Sequence, residues 1–535
     1  MMKKFKKVIA LMALGLTIVA CGTNNSKKDE KVLLYNATAE GPTFDPQQVT
    51  DAFTSNVHNF ITEGLTKTMP DGSVVPMQAK SWEVSKDGLT WTFHLRDDIK
   101  WSDGSDVVAA DFEYGWKRGL DPMLASEYAF ILFPIKNAEK YTKGEASLDE
   151  IGVKAVDDKT LVVNLENVTP YFDSLTSFIT YMPAKKEFVE KMGQEYALDK
   201  DSILYNGPFV VDSWTHGDRI ELVKNDKYYN KDKIVLDKVL VKYIKDEVAA
   251  LNAFNNEELD FVRLSPEESM KYKDKAIKNN EARTTYIAFN VRENNMFKNE
   301  NLRKAFALAF DKEKLVDVVF SGLKDDVYTF TPANSGFKGI EKDYAKEIGA
   351  VFEKYNEKKA KEYLDKALKD MNLKELPKVT LLIDDRYVYN RKIAESLQED
   401  LRIVLGIDVA VDVVTFKERL VRSRNGNFDV LLTAWGADYQ DPMTFLDLLA
   451  SFNGNNSAGF DDKKYDEILS KATRSVNRED RINYLKEAEM YLADKMPIMP
   501  LYQEVSYYLI NSKVNGIEFS SFSPTIRANE SDKQK

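Results

Sequence analysis

Apolar and polar residues alternate in short stretches along this chain, and one longer apolar run stands at its start. Lys31-Val-Leu-Leu-Tyr-Asn36 is dense enough in apolar side chains to read as a strand, and Gly41-Pro42 and Asp45-Pro46 behind it are turn signals. Alternation predicts strands at 91–95, 161–165, 220–223, 237–244 and 286–290. Helical spacing predicts helices at 108–119 and 247–254. From about Asn301 the pattern turns helical, with Leu302, Phe306, Phe310 and Leu315 near one period. Residues 357–371 gather Ala360, Tyr363, Leu364, Ala367 and Leu368 on one face. A strand at 379–383, a helix at 391–405 closed by Gly406, and strands at 407–414 and 428–433 follow. The first half is strand-rich and the second is α/β in the order of its elements. No repeat of 20–50 residues is visible, which excludes a solenoid or propeller.

The apolar run Val8 to Ala20 has 13 residues, too few for a bilayer span of about 20, and follows Lys3, Lys4, Lys6 and Lys7. This is the pattern of an export signal. It ends Ile18-Val19-Ala20-Cys21-Gly22, which resembles the bacterial lipobox, whose cysteine receives a diacylglycerol and becomes the new N-terminus. An ordinary secretory signal is the alternative. On the lipobox reading, residues 1–20 are a signal peptide and 21–31 a polar, flexible tether from lipid to folded body. The protein is then anchored, not spanning, on the extracytoplasmic face of the cell membrane, as on a Gram-positive cell surface.

Composition narrows the function classes. The 535 residues allow about three or four domains. With 43% hydrophobic and 30% charged residues, the usage is globular. The net charge of -11, or -15 once the four lysines of residues 1–20 are removed, repels phosphate backbones and argues against nucleic acid. Cys21 is the one cysteine, so an internal disulfide and a cysteine zinc site are both excluded. His58, His94 and His216 lie far apart, and no nucleophile-elbow, phosphate-loop or dinucleotide-turn motif occurs. No metal or cofactor is expected. Asp438 and Asp441 are the acids weighed as a hydrolytic pair. Asp461-Asp462 and Asp466 lack calcium-loop spacing and read as a solvated helix start.

Several segments in order resemble one family. They are Glu63-Gly64-Leu65, the stretch Trp82 to Trp101 with Ser102-Asp103-Gly104 and Ala110-Asp111-Phe112, Asp121-Pro122, and Ser126-Glu127-Tyr128-Ala129. Next come Asn206-Gly207-Pro208-Phe209, Asn225-Asp226-Lys227-Tyr228-Tyr229, Arg303-Lys304-Ala305-Phe306, and Ala434-Trp435-Gly436-Ala437-Asp438. Together they resemble the bacterial extracellular solute-binding proteins that feed oligopeptide ABC transporters. The resemblance implies an α/β, two-lobed periplasmic-binding-protein-like fold of type II, the large peptide-binding class, with an extra domain inserted in the first lobe. Lobe 1 is then expected at 32–62, 200–283 and 505–527, the insert at 63–199 and lobe 2 at 284–504, crossing between lobes near 283 and 505.

The implied function is capture of oligopeptides between closing lobes and delivery to ABC permease subunits by a monomer that is not an enzyme. Asp438 would meet the peptide ammonium, and the backbones of Ala434 and Gly436 the peptide main chain. Trp435 would wall a pocket, with Ala52 and Tyr128 on the facing lobe. Where Gram-negative relatives hold the peptide carboxylate with a glutamate and basic groups, this chain has Thr50, Asn390, Ser423 and Leu432. Arg391, Arg422 and Arg424 stand nearby. A receptor specialised for a peptide pheromone and, from another class, a surface hydrolase using Asp438 and Asp441 are the competing readings.

Overall fold

The computed structural model describes residues 30–70, 72–337, 339–522 and 526–534. The expected export signal, Cys21 and most of the expected tether lie outside them. Three sheets organise the chain. Val32–Asn36 runs parallel to Lys238–Lys242, which continues antiparallel to Arg219–Lys224 and then Phe209–Thr215. Ala79–Val84, Thr90–Leu95, Thr160–Asn164 and Val153–Asp157 form an antiparallel sheet whose apolar face packs on the helix Ala109–Gly119. The third sheet runs in the order Phe261–Arg263, Ile498–Ile510, Ile277–Phe289, Val430–Gly436, Val379–Asp384 and Val409–Val414.

Two 13-residue strands, Ile277–Phe289 and Ile498–Ile510, are the long members of that third sheet. Their first ladder joins Ile277 to Tyr508 and Asn280 to Val505; their second joins Thr284 to Gln503 and Ala288 to Ile498. Between them the register is irregular, and Ala282 donates its N–H to the Ser521 carbonyl while accepting from the N–H of Ala437. This irregular stretch contains position 283, where the first crossing was expected. A second irregularity brings Pro500 opposite Tyr286. Proline has no N–H for a ladder, so it is tolerated at such a bulge.

The observed helices and strands differ from expectation in several places. The helical run from 301 is two helices, Glu300–Ala309 and Lys312–Phe320, because the Asp311 carboxylate caps a new helix by accepting from the Lys314 N–H. The strand expected at 286–290 begins nine residues earlier, at Ile277. Helices Lys463–Arg474 and Arg478–Lys495 and the strand Ile498–Ile510 had no predicted counterpart, although Asp462 does start a helix, accepting from the N–H groups of Lys464 and Tyr465.

Several matched motifs turn out to join elements. The Asn206 side chain accepts from the Glu63 N–H at 3.0 Å and donates to the Glu63 carbonyl at 2.8 Å. Gly207 lies so close that a Cβ there would stand 2.6 Å from the Ile61 carbonyl carbon, so only glycine fits. Tyr228 donates its hydroxyl to the Glu63 carboxylate at 2.7 Å. Trp101 donates to Asp111 at 2.9 Å, and the same carboxylate accepts the Val108 N–H. In the second half, Arg481 forms a two-pronged ion pair with Asp441, 2.8 Å on each prong, and so braces the turn that carries Asp438.

Two predictions test these joints. Burial, opposed by the Tyr228 hydroxyl, pushes the Glu63 carboxyl up to about 7. The native state therefore holds this proton more tightly than the unfolded chain. The resulting stabilisation is full below the unfolded value near 4.5 and is lost as pH rises through about 7. Denaturant titration of Glu63→Gln should show a fall in stability between pH 5 and pH 8 that is smaller than wild type by about 2–3 kcal/mol. Arg481→Met should strand the buried Asp441 charge and destabilise the fold by about 3–5 kcal/mol, read as a lower urea midpoint.

Candidate functional site

One cavity of about 450 Å³ opens between the part of the chain that carries Ala52 and Tyr128 and the part that carries the strand Val430–Gly436. Ala52, Tyr128, Ala434, Trp435, Gly436 and Asp438 all line it. The fold brings these six together from three separate segments. Ala52 is the exposed first residue of the helix Ala52–Ile61, whose N-cap is Asp51. Tyr128 precedes a short 3-10 turn, and its ring packs on Phe130 and Phe178.

The ladder of Val430–Gly436 explains what its backbone offers. Asn290 donates to the Asp429 carbonyl at 3.0 Å, and Ala437 donates to Ala282 at 2.7 Å. In an antiparallel pair alternate residues face the partner, so odd-numbered residues of this strand point toward Ile277–Phe289. The N–H and C=O groups of the even-numbered ones, Ala434 and Gly436 among them, point to the opposite edge. There Val379–Asp384 pairs only with Val430 and Leu431. From Thr433 onward that edge borders the cavity, with no strand beside it.

At the end of this edge stands Asp438. Its N–H donates to the Thr444 hydroxyl at 3.1 Å, and Trp435 donates its ring N–H to the Thr444 carbonyl at 2.7 Å. These bonds hold the turn with the carboxylate inward. One oxygen accepts the Tyr128 hydroxyl at 3.2 Å, across the cleft; the other, Oδ2, has no hydrogen-bond partner and is buried. Burial first, and the Asp447 charge second, raise this carboxyl well above the usual carboxylate range, and the Tyr128 hydroxyl offsets only part of that. The arrangement leaves one buried carboxyl oxygen at the cavity without a hydrogen-bond partner.

Other contacts cross the cleft. Tyr171 stacks on Tyr439 with centroids 4.7 Å apart and planes 8° from parallel, and Arg424 pairs with Glu127. Of the two acids weighed as a hydrolytic pair, only Asp438 lines the cavity, because Asp441 is engaged by Arg481. His58 is buried and its ring is driven down to about 3 by that burial, which leaves it neutral. Among the described residues no three histidine, cysteine or acidic side chains converge as a metal group, and no helix is long and apolar enough to cross a membrane.

Of the basic residues flagged in the sequence, Arg424 lines the cavity, where it pairs with Glu127. Arg422 pairs with Asp412, Arg391 is exposed, and Leu432 is buried in the sheet. Asn390 donates to Asp384, while Thr50 and Ser423 do line the cavity. What the sequence reading missed are Arg283, Arg386, Arg419, Tyr387 and Phe416, which line the same cavity from three further places. Their local contexts are ordinary polar helix and strand, and no spacing singled them out.

A family model described as bacterial extracellular solute-binding proteins, family 5 Middle, matches residues 73–457. Dipeptide-binding protein DppE of Bacillus subtilis (strain 168) is 34% identical over 534 residues, covering 96% of this chain and 97% of its own. The structure of Listeria monocytogenes OppA bound to peptide matches with a TM-score of 0.87 at 34% identity, covering 95% of this chain and 100% of that one. The Escherichia coli murein tripeptide binding protein MppA gives 0.84 at 28% identity, with 95% and 99% covered. An unliganded open form of MppA gives only 0.66 at 27% identity, with 94% and 98% covered. Contacts across the cleft join its two sides in the present arrangement. Its sequence match, its two-lobed α/β fold and its cleft agree: the chain belongs to the bacterial extracellular solute-binding proteins of family 5.

Proposed function

We propose that this protein captures oligopeptides in the closed cleft and delivers them to the membrane subunits of an ABC transporter, held at the extracytoplasmic face by a lipid on Cys21. The observation that carries the reading is the open strand edge ending at a buried carboxylate oxygen that has no partner. A peptide of any sequence has a constant backbone and a constant terminal ammonium. Added as a strand beside Thr433–Gly436, it meets the backbone groups of Ala434 and Gly436 with its own, and its ammonium reaches Asp438. Trp435 and Tyr128 then wall the space for the first side chains. Binding by backbone leaves side-chain preference loose, as a nutrient receptor requires. The peptide-binding relatives of this family support the same reading.

Calorimetry with a peptide carrying a free N-terminus and with its N-acetylated form tests it. Removing the ammonium leaves Asp438 buried without a counter-charge, so the acetylated peptide should bind at least about 100-fold more weakly. Asp438→Asn should bring the two peptides to similar affinities. Because the ammonium favours the ionised carboxyl, a protonated Asp438 must release its proton on binding. Affinity should therefore fall as pH drops below the raised value of that group, by up to about tenfold per pH unit. Equal binding of both peptides to wild type would overturn the assignment of Asp438.

A further inference from the structure

A second cavity, of about 660 Å³, shares no lining residue with the cleft. It lies where the expected insert, residues 229–233 and the C-terminal strand pair of Glu518–Phe519 with Ile526–Arg527 come together. Four basic residues line it, Lys67, Arg96, Lys233 and Arg527. Only 4% of Arg527 is exposed, its Nε and Nη1 are buried without a hydrogen-bond partner, and among the described residues its guanidinium makes no ion pair. Burial, offset only in part by the Glu518 charge, draws it down to about 10, so it remains a cation at neutral pH. Arg96 is held differently. Its Nε–H donates to the Met77 carbonyl, and its guanidinium carbon stands 4.8 Å from the Tyr229 ring centroid. These two contacts fix the plane of the group and leave its terminal nitrogens without a partner among the described residues.

The acids nearby do not balance this charge. Glu530 is 3.4 Å from Lys67. Glu518 and Asp98 also line the cavity, but both are exposed, so water screens them. Glu63, close enough to feel Lys67 and Arg96, already accepts the Tyr228 hydroxyl, and burial pushes it up to about 7, which leaves it a fractional counter-charge. A buried guanidinium without a partner destabilises the fold that holds it, and such a feature is expected where a bound group offsets the cost. We propose that this cavity binds a phosphate ester, with Arg96 and Arg527 facing the phosphate oxygens and Lys67 and Lys233 completing a positive wall. Guanidinium edges match pairs of phosphate oxygens, and a multiply charged anion suits a wall with more than one unpaired cation. The cavity is much larger than a phosphate ion, and Met69, Val75 and Pro76 line it too, which provides for the organic part of an ester. The source is either a soluble ester or a phospholipid headgroup. Asp532, two residues beyond Glu530, pairs with Lys31 at 2.5 Å, so the C-terminal wall is tied to the point where the chain enters the fold behind the expected tether.

Calorimetry on the protein in low-chloride buffer tests this, with glycerol phosphate as the soluble probe and glycerol as its uncharged control. Co-sedimentation with phosphatidylglycerol vesicles, against phosphatidylcholine vesicles, probes the headgroup. Glycerol phosphate should bind where glycerol does not, or phosphatidylglycerol vesicles should bind where phosphatidylcholine ones do not. The first result identifies a soluble ester as the source, and the second alone identifies a headgroup. Arg527→Met and, separately, Arg96→Met should weaken whichever binding wild type shows by about tenfold or more, since each removes charge-assisted bonds to the phosphate. The cleft should keep its affinity for peptide in both. Thermal melting separates a ligand site from a structural role. Without phosphate, Arg527→Met should melt at the wild-type temperature or above it, because the substitution breaks no native bond and removes an unpaired buried charge. A saturating ester should raise the melting temperature of wild type and not that of the variant. If neither glycerol phosphate nor phosphatidylglycerol vesicles bind wild type, if both variants bind as tightly as wild type, or if ligand-free Arg527→Met melts well below wild type, the assignment fails.

Discussion

A carboxylate enclosed by protein with one neutral donor and one bare oxygen is the constraint around which this molecule is arranged. Asp438 is in that state because closure places Tyr128 over it. In open lobes water would solvate the same group, so closing without a ligand either desolvates a charge or, because burial raises this carboxyl well above the usual range, takes up a proton instead. What favours closure in return is modest. The half-exposed Arg424–Glu127 pair is of the rim type worth about 0–1 kcal/mol, and the Tyr171–Tyr439 stack adds about 0.5–1.5 kcal/mol beyond its burial. A cation at Asp438 turns the penalty into an attraction. On the proposed peptide reading, ligand selection and lobe closure would thereby be coupled through one atom.

The open backbone edge is a second consequence of the same geometry. Natural proteins protect exposed strand edges, because they recruit other chains. Val430–Gly436 is paired along its whole length on one side, but on the other only at Val430 and Leu431. The unpaired half lies inside a cleft, where a sheet from another molecule cannot approach but a single extended chain can. On the proposed reading, the aggregation hazard of an edge becomes a binding site through its placement. The irregular ladder between Asn280 and Thr284 belongs to the same design, since Ala282 bonds to Ser521 on one side and Ala437 on the other and ties the end of the cleft strand to Ser521.

Periodicity was enough to find elements that bury one face, such as the helices near 109–119 and 357–370 and the strands near 91–95 and 238–242. It failed for Ile498–Ile510, which is buried on both faces and yet carries Gln503, Glu504 and Ser506, so neither alternation nor an apolar run marks it. The polar residues are there because Gln503 and Ser506 bond to Glu281 and Glu504 bonds to Lys324, partners far away in the chain. The segments that carried the family resemblance are recognisable for a related reason. Glu63, Asn206, Gly207, Trp101 and Asp111 satisfy short-range or junction contacts that tolerate few alternatives. The basic end of the cleft left no such trace. Arg283, Arg386 and Arg419 sit singly in ordinary stretches, and only the topology of the third sheet brings them to one cavity.

A chain with net charge -11 that concentrates arginines in its cleft has placed them against its own average field, and the position opposite Asp438 gives a reason. Backbone pairing alone does not fix which way a peptide lies or where it stops. A strand can add in either direction, and a slip of one residue carries every side chain to the opposite face. A negative group at one end and a positive cluster at the other break that degeneracy, because the reversed peptide would put each terminus beside a like charge, a mismatch of several kcal/mol at a desolvated site. On the proposed peptide reading, direction and register would then be set by charges at the two ends of the bound segment. The side chains between them need only fit. Loose preference for sequence and strict preference for direction therefore follow from one arrangement of charges along one strand edge.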